Sequence, residues 1–63
     1  MSIQENISKI KSRYPNANPL ELALEVWEGE ALDGDTDYFK EQVGLGEREL
    51  YEVVHYAYNA IIK

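Results

Sequence analysis

Residues 47–62 read ERELYEVVHYAYNAII, and their apolar positions recur at the spacing of an α-helix. On a wheel of ~100° per residue, one continuous apolar arc contains Leu50, Tyr51, Val53, Val54, Ala57, Tyr58, Ile61 and Ile62. The arc covers more than half of the circumference, and the narrow polar strip that remains contains Glu52, Tyr56, Asn59 and Lys63. A helix that is apolar over so much of its surface is either central in a core or shared with a second chain.

Capping residues, proline and glycine divide the rest of the chain into three further helices. Asn18 is a good N-cap with Pro19 at the first helical position, Ser2 caps an earlier helix, and Gly44 ends a later one in a Schellman-type turn. The predicted helices span about residues 3–13, 19–28, 36–44 and 47–62. The fold class that follows is all-α, a compact bundle of three or four helices in a single domain over residues 1–63.

The predicted core contains Leu24, Trp27, Phe39, Val54 and Ala57, with Trp27 at its centre, and we expect Tyr58 to be buried as well. A chain of 63 residues buries only ~60% of the surface that it exposes when unfolded, so it needs additional stabilisation. The absence of cysteine and the single histidine, His55, exclude disulfides, thiolate sites and histidine-rich metal sites. No cofactor is predicted. The wide apolar faces of the second and last helices favour a homodimer.

The acidic residues are concentrated in one part of the chain. Eleven of the twelve lie between Glu21 and Glu52, where the only bases are Lys40 and Arg48, which leaves nine net negative charges. Such a field steers partners toward a surface, so we predict a protein partner with a basic patch. The candidate partner-binding residues are Glu21, Glu25, Glu28, Glu30, Asp33, Asp35, Asp37, Glu49, Glu52 and Tyr56. Tyr56 is included because an exposed tyrosine in a polar strip is a typical interface anchor.

These features predict a small acidic, non-catalytic protein–protein interaction module rather than an enzyme. One alternative is an inhibitor that mimics nucleic acid, because the composition is similar to that of small, acidic, cysteine-free inhibitors encoded by phages. A second alternative is a small DNA-binding regulator, because residues 39–57 loosely resemble a helix-turn-helix. The formal net charge of −6 argues against direct binding to nucleic acid, since phosphates are bound by clustered Lys and Arg.

One further pattern is weak. Residues 33–37 place carboxylates at alternate positions, as a calcium loop does, but Tyr38 and Gly44 stand where that loop needs glycine and a bidentate glutamate.

No apolar run approaches the ~20 residues of a membrane span, and residues 1–15 lack the apolar core of a signal peptide. We therefore expect a cytoplasmic location and no membrane partner.

Overall fold

A computed structural model of the chain describes residues 2–32 and 34–61. These residues form four α-helices and no β-strand: α1 (Ile3–Arg13), α2 (Pro19–Trp27), α3 (Thr36–Val43) and α4 (Glu47–Ile61). The all-α fold class is confirmed, and the predicted helix boundaries agree to within one residue. Ile62, which was assigned to the last helix, lies outside the described residues. None of the four described helices combines the length and apolar character required to cross a bilayer.

The first three helices each begin after a capping side chain, and Ser2 and Asn18 are the two that the sequence predicts. The Ser2 hydroxyl accepts a hydrogen bond from the N–H of Glu5 at 3.3 Å. The side-chain oxygens of Asn18 and Asp35 each accept one from the N–H two residues further on, both at 3.0 Å. These oxygens satisfy N–H groups that have no partner inside the helix, and they fix where each helix starts.

The turn between α3 and α4 depends on the backbone of Gly44. Its φ is +73°, in the left-handed region, and a Cβ added there would meet nothing within 4 Å, so the preference for glycine is conformational. The N–H of Leu45 then donates to the carbonyl of Lys40 at 3.0 Å. This bond closes the predicted Schellman-type end, and the buried Leu45 side chain anchors the start of α4 in the core.

α4 is the central helix, and it packs mainly against α2. One hydrophobic cluster contains Ile10, Ala23, Leu24, Val26, Phe39, Val43, Leu45, Leu50, Val53, Val54 and Ala57. The ring of Phe39 is fully buried and stacks on Tyr14, with centroids 5.8 Å apart. Burial of Leu24, Phe39, Val54 and Ala57 confirms four of the five predicted core positions.

The predicted position of Trp27 is wrong, because its side chain remains 39% exposed. Trp27 is the last residue of α2, so no following helical turn covers the indole, and Ala23 and Val26 occupy the buried positions instead. Tyr58 was also expected in the core and is exposed. On α4 the other helices cover only the side that contains Val53 and Ala57, so the tyrosines at the edge of the apolar arc stay in contact with solvent.

Asn6 is a buried polar residue on α1. Its side chain is 1% exposed, and neither its Oδ1 nor its Nδ2 atom has a hydrogen-bond partner among the described residues. Leaving a buried polar group without a partner costs about 1–3 kcal/mol. Asn6 therefore weakens the packing of α1 against the bundle.

Candidate protein-interaction surface

Four aromatic side chains lie together where the end of α2 meets the outer side of α4. We call Trp27, Tyr51, His55 and Tyr58 the aromatic patch; all four are exposed. The ring centroids of Trp27 and Tyr51 are 6.0 Å apart and their planes are tilted by 54°, whereas Tyr51 and His55 are 6.2 Å apart and closer to parallel, at 24°. Tyr58 lies about two turns beyond Tyr51 on the same side of α4.

A hydrogen bond connects the aromatic patch to the acidic side chains of α2. The hydroxyl of Tyr58 donates to Oε1 of Glu28 at 3.0 Å. This hydrogen bond, followed by loss of hydration and the negative charge of Glu28, raises the pKa of Tyr58 above its ordinary value. The carboxylate of Glu28 is thereby held at the edge of the patch, next in sequence to Trp27.

A groove of about 380 Å³ runs along the outer side of α4. It is lined by Ile3, Tyr51, Glu52, His55, Tyr56 and Asn59. Two predicted partner-binding residues, Glu52 and Tyr56, therefore share a groove with two members of the aromatic patch. Both are exposed, so their side chains are accessible to a partner.

The acidic stripe consists of Glu21 and Glu25 on α2 and Glu28, the C-cap residue that follows it, and all three are exposed. Glu28 is the member beside the aromatic patch. The fourth predicted acid of this region, Glu30, is exposed in the connector after α2, and its N–H donates to the carbonyl of Glu25 at 2.7 Å. The connector therefore begins by folding back on the end of α2, which keeps its charge close to the stripe.

Three other predicted residues make contacts within the chain. Asp35 caps α3, Asp37 forms an ion pair of 3.3 Å with the lysine one turn later, and the Glu49 carboxylate folds back over the first turn of α4. Asp33 lies outside the described residues. Within residues 2–32 and 34–61, no three His, Asp or Glu side chains are arranged to hold a metal ion. We leave Asp35, Asp37 and Glu49 out of the interaction surface because each of these carboxylates contacts its own helix rather than the aromatic patch.

Two basic side chains of α1, those of Lys9 and Arg13, contact α3 and its C-cap. The Lys9 ammonium donates to the carbonyl of Gly44 at 3.4 Å, and the Arg13 guanidinium donates to Oε1 of Gln42 at 2.9 Å. α3 and α4, the two parts of the helix-turn-helix-like segment, pack against α1 and α2 more than against each other. Moreover, the outer side of α4 carries Glu47 and Glu52, which would repel phosphates.

The aromatic patch was not predicted, since Trp27, Tyr51 and Tyr58 were all assigned to apolar faces. The sequence does contain a signal for the two tyrosines. They are seven residues apart, at the edge of the arc farthest from Val53, and a tyrosine at such an edge can pack its ring while its hydroxyl stays in water. The exposure of Trp27 has no comparable signal, because it depends on how the end of α2 meets α4.

Neither a family model nor a curated protein nor a solved structure matches this chain significantly. The exposed rings, the carboxylates beside them and the charge of the chain are therefore the basis for a proposed function.

Proposed function

We propose that this protein is a non-catalytic protein–protein interaction module that binds a basic surface on a partner protein. The observation that carries the proposal is the aromatic patch with carboxylates at its edges, Glu28 on one side and Glu52 on the other. Exposed aromatic clusters of this kind are typical of binding sites, because Trp and Tyr bury much area with little loss of entropy.

The charge of the chain supports a basic partner. With a formal net charge of −6, the protein attracts cationic surfaces over about one Debye length, ~10 Å at 0.1 M salt. Self-association through the aromatic patch would instead bring Glu28 and Glu52 of two copies close together. The homodimer expected from the wide apolar arcs would therefore be opposed by charge repulsion at this face.

The acidic stripe favours one particular class of partner. Glu21, Glu25 and Glu28 present a row of exposed carboxylates along one side of α2, with about one helical turn between neighbours. A row of negative charges can occupy the site of a phosphate backbone on a nucleic-acid-binding protein. Competition between this chain and DNA or RNA for the captured partner distinguishes such mimicry from recognition of another basic surface.

The proposal is tested with two charge-reversed variants used as bait. Glu28→Lys/Glu52→Lys changes the aromatic surface, whereas Glu5→Lys/Glu41→Lys changes exposed residues of α1 and α3. Each pair lowers the net negative charge by the same amount, so only position differs. We expect mass spectrometry to identify a basic partner that is captured by the wild type and the second variant but lost with the first. Equal capture by all three baits would contradict the proposal.

Association and dissociation rates measured with the captured partner distinguish long-range electrostatic attraction from direct contact at the interface. Reversing Glu21, Glu25 and Glu28 to Lys is expected to slow association, and Tyr56→Ala is expected to speed dissociation, because charges act before contact and anchors act after it. Association that is indifferent to salt and to the reversal would contradict electrostatic recognition. Binding to duplex DNA that is lost on neutralising Lys9, Lys11 and Arg13 would support a DNA-binding regulator instead.

A further inference from the structure

We infer that the aromatic patch, together with Glu28, is a binding site for arginine side chains of a basic partner. The inference rests on the proposed function and deepens it, because it states which cation the partner presents. A basic surface can be recognised by charge alone, in which case arginine and lysine are equivalent. The arrangement of rings and carboxylate in this surface favours arginine.

The rings provide faces on which a guanidinium can stack. Trp27 and Tyr51 meet at 6.0 Å with planes tilted by 54°, so they form an open angle rather than a closed stack. Their exposed fractions of 39% and 55% leave ring surface available to a partner. A planar guanidinium packs flat on such a surface and gains both stacking and cation–π attraction, whereas an ammonium gains only the latter and loses more hydration.

The carboxylate of Glu28 is already held in place. The Tyr58 hydroxyl occupies Oε1 at 3.0 Å, and within the described residues Oε2 has no hydrogen bond or ion pair. Fixing one oxygen restricts the rotamers of Glu28 before a partner arrives, which lowers the entropy cost of forming a charge-assisted hydrogen bond. Tyr58 thus acts as a positioning residue, while Glu28 is the residue expected to contact the guanidinium.

The two remaining charged residues close in sequence to Tyr51 have opposite signs. Glu52 follows Tyr51 directly and adds a second carboxylate, whereas Arg48, three residues before Tyr51, is the one base in the sequence of α4. Arg48 repels an incoming cation. Replacing Arg48 by Gln is therefore expected to tighten binding of an arginine ligand, a change opposite in sign to that caused by altering Glu28.

The inference is tested with two synthetic peptides of equal charge, GSRGSRGSRGSR and GSKGSKGSKGSK. Trp27 is the single tryptophan of the chain, so its fluorescence reports directly on occupancy of the patch, and calorimetry gives the Kd. We expect the arginine peptide to bind at least about five-fold more tightly than the lysine peptide, from the added stacking. Only the arginine peptide is expected to shift the Trp27 emission strongly.

Matched variants locate the binding. Tyr51→Ala is expected to raise the Kd of the arginine peptide about five- to thirty-fold. Tyr51→Phe is expected to raise it less than about two-fold, because phenylalanine keeps the ring face. Tyr38→Ala is the control, since Tyr38 is an exposed tyrosine of α3 without a ring contact among the described residues. Glu28→Gln tests the carboxylate without removing a ring, so it remains informative if Tyr51→Ala melts early.

The outcomes separate this inference from the proposed function. Tight arginine binding that is lost with Tyr51→Ala and Glu28→Gln supports both. Equal binding of the two peptides overturns the arginine preference but leaves recognition of a basic surface intact. An arginine preference that neither variant changes places the site elsewhere and also overturns the inference. If neither peptide binds at low salt, the proposed basic partner is itself contradicted.

Discussion

Replacing Asn6 by Leu is expected to stabilise the fold. Asn6 is almost completely buried, and its amide has no hydrogen-bond partner among the described residues. Leucine has the same number of side-chain heavy atoms as asparagine and also branches at Cγ, so it is a close apolar replacement, although its two methyl groups need more room than the planar amide. The neighbouring position on this side of α1, Ile10, is fully buried in the hydrophobic cluster, so the surroundings suit an apolar side chain.

The magnitude follows from the polar group that is removed. Relieving a buried, unsatisfied amide contributes about 1–3 kcal/mol. In a domain of this size each kcal/mol moves the Tm by about 4–8 °C, so we expect the Tm of Asn6→Leu to rise by about 4–24 °C. Circular dichroism during heating, and urea denaturation at 25 °C, measure the change independently.

Two control variants test the reason for this gain. Asn6→Asp keeps the shape but buries a carboxylate, so it should destabilise the fold strongly at neutral pH. Asn6→Ala removes the amide and leaves a cavity, so its stability should fall below that of Asn6→Leu. A lower Tm for Asn6→Leu than for the wild type would refute the reasoning, because it would mean that the amide is satisfied in the folded protein or that the site cannot hold two methyl groups.

Three further predictions concern the patch and the assembly. Trp27→Ala should cost about 1–2 kcal/mol and Phe39→Ala about 3–5 kcal/mol, since only Phe39 is fully buried; equal losses in urea denaturation would contradict this ranking. The pKa of Tyr58 is raised in the fold, so the stability that this group contributes is present below pH ~10 and is lost as pH rises through the folded pKa. Ultraviolet titration should show Tyr58 ionising at lower pH in Glu28→Gln. If the chain dimerises, its Tm rises with concentration, whereas sedimentation as a 7.3 kDa species at high concentration would exclude the dimer.

The helix boundaries could be predicted because each depends on a few neighbouring residues. Asn18 caps α2 through a hydrogen bond to an N–H two residues away, and Gly44 ends α3 through its own φ. Such interactions require no knowledge of the rest of the fold. The same holds for Leu50, Val53 and Ala57, whose spacing on one helix already places them on a single face.

The candidate site was predicted only in part. Glu52 and Tyr56 were identified from their place in the polar strip of α4, and the structure puts both in one groove. Tyr58 was expected in the core, yet its hydroxyl reaches Glu28, thirty residues earlier in the chain. A contact between residues so far apart depends on how α2 crosses α4, which hydrophobic periodicity does not specify.

The sequence by itself therefore determined that the chain is helical, where each helix begins and ends, which face of each helix is apolar, and that the charge is concentrated between Glu21 and Glu52. Only the tertiary structure decided how much of each apolar face is covered. The other helices bury one side of α4 but leave Tyr51 and Tyr58 exposed at its edge, and α2 ends too early to bury Trp27. The physical reason is that periodicity records the direction of a side chain, whereas its exposure depends on the area that other elements place against it.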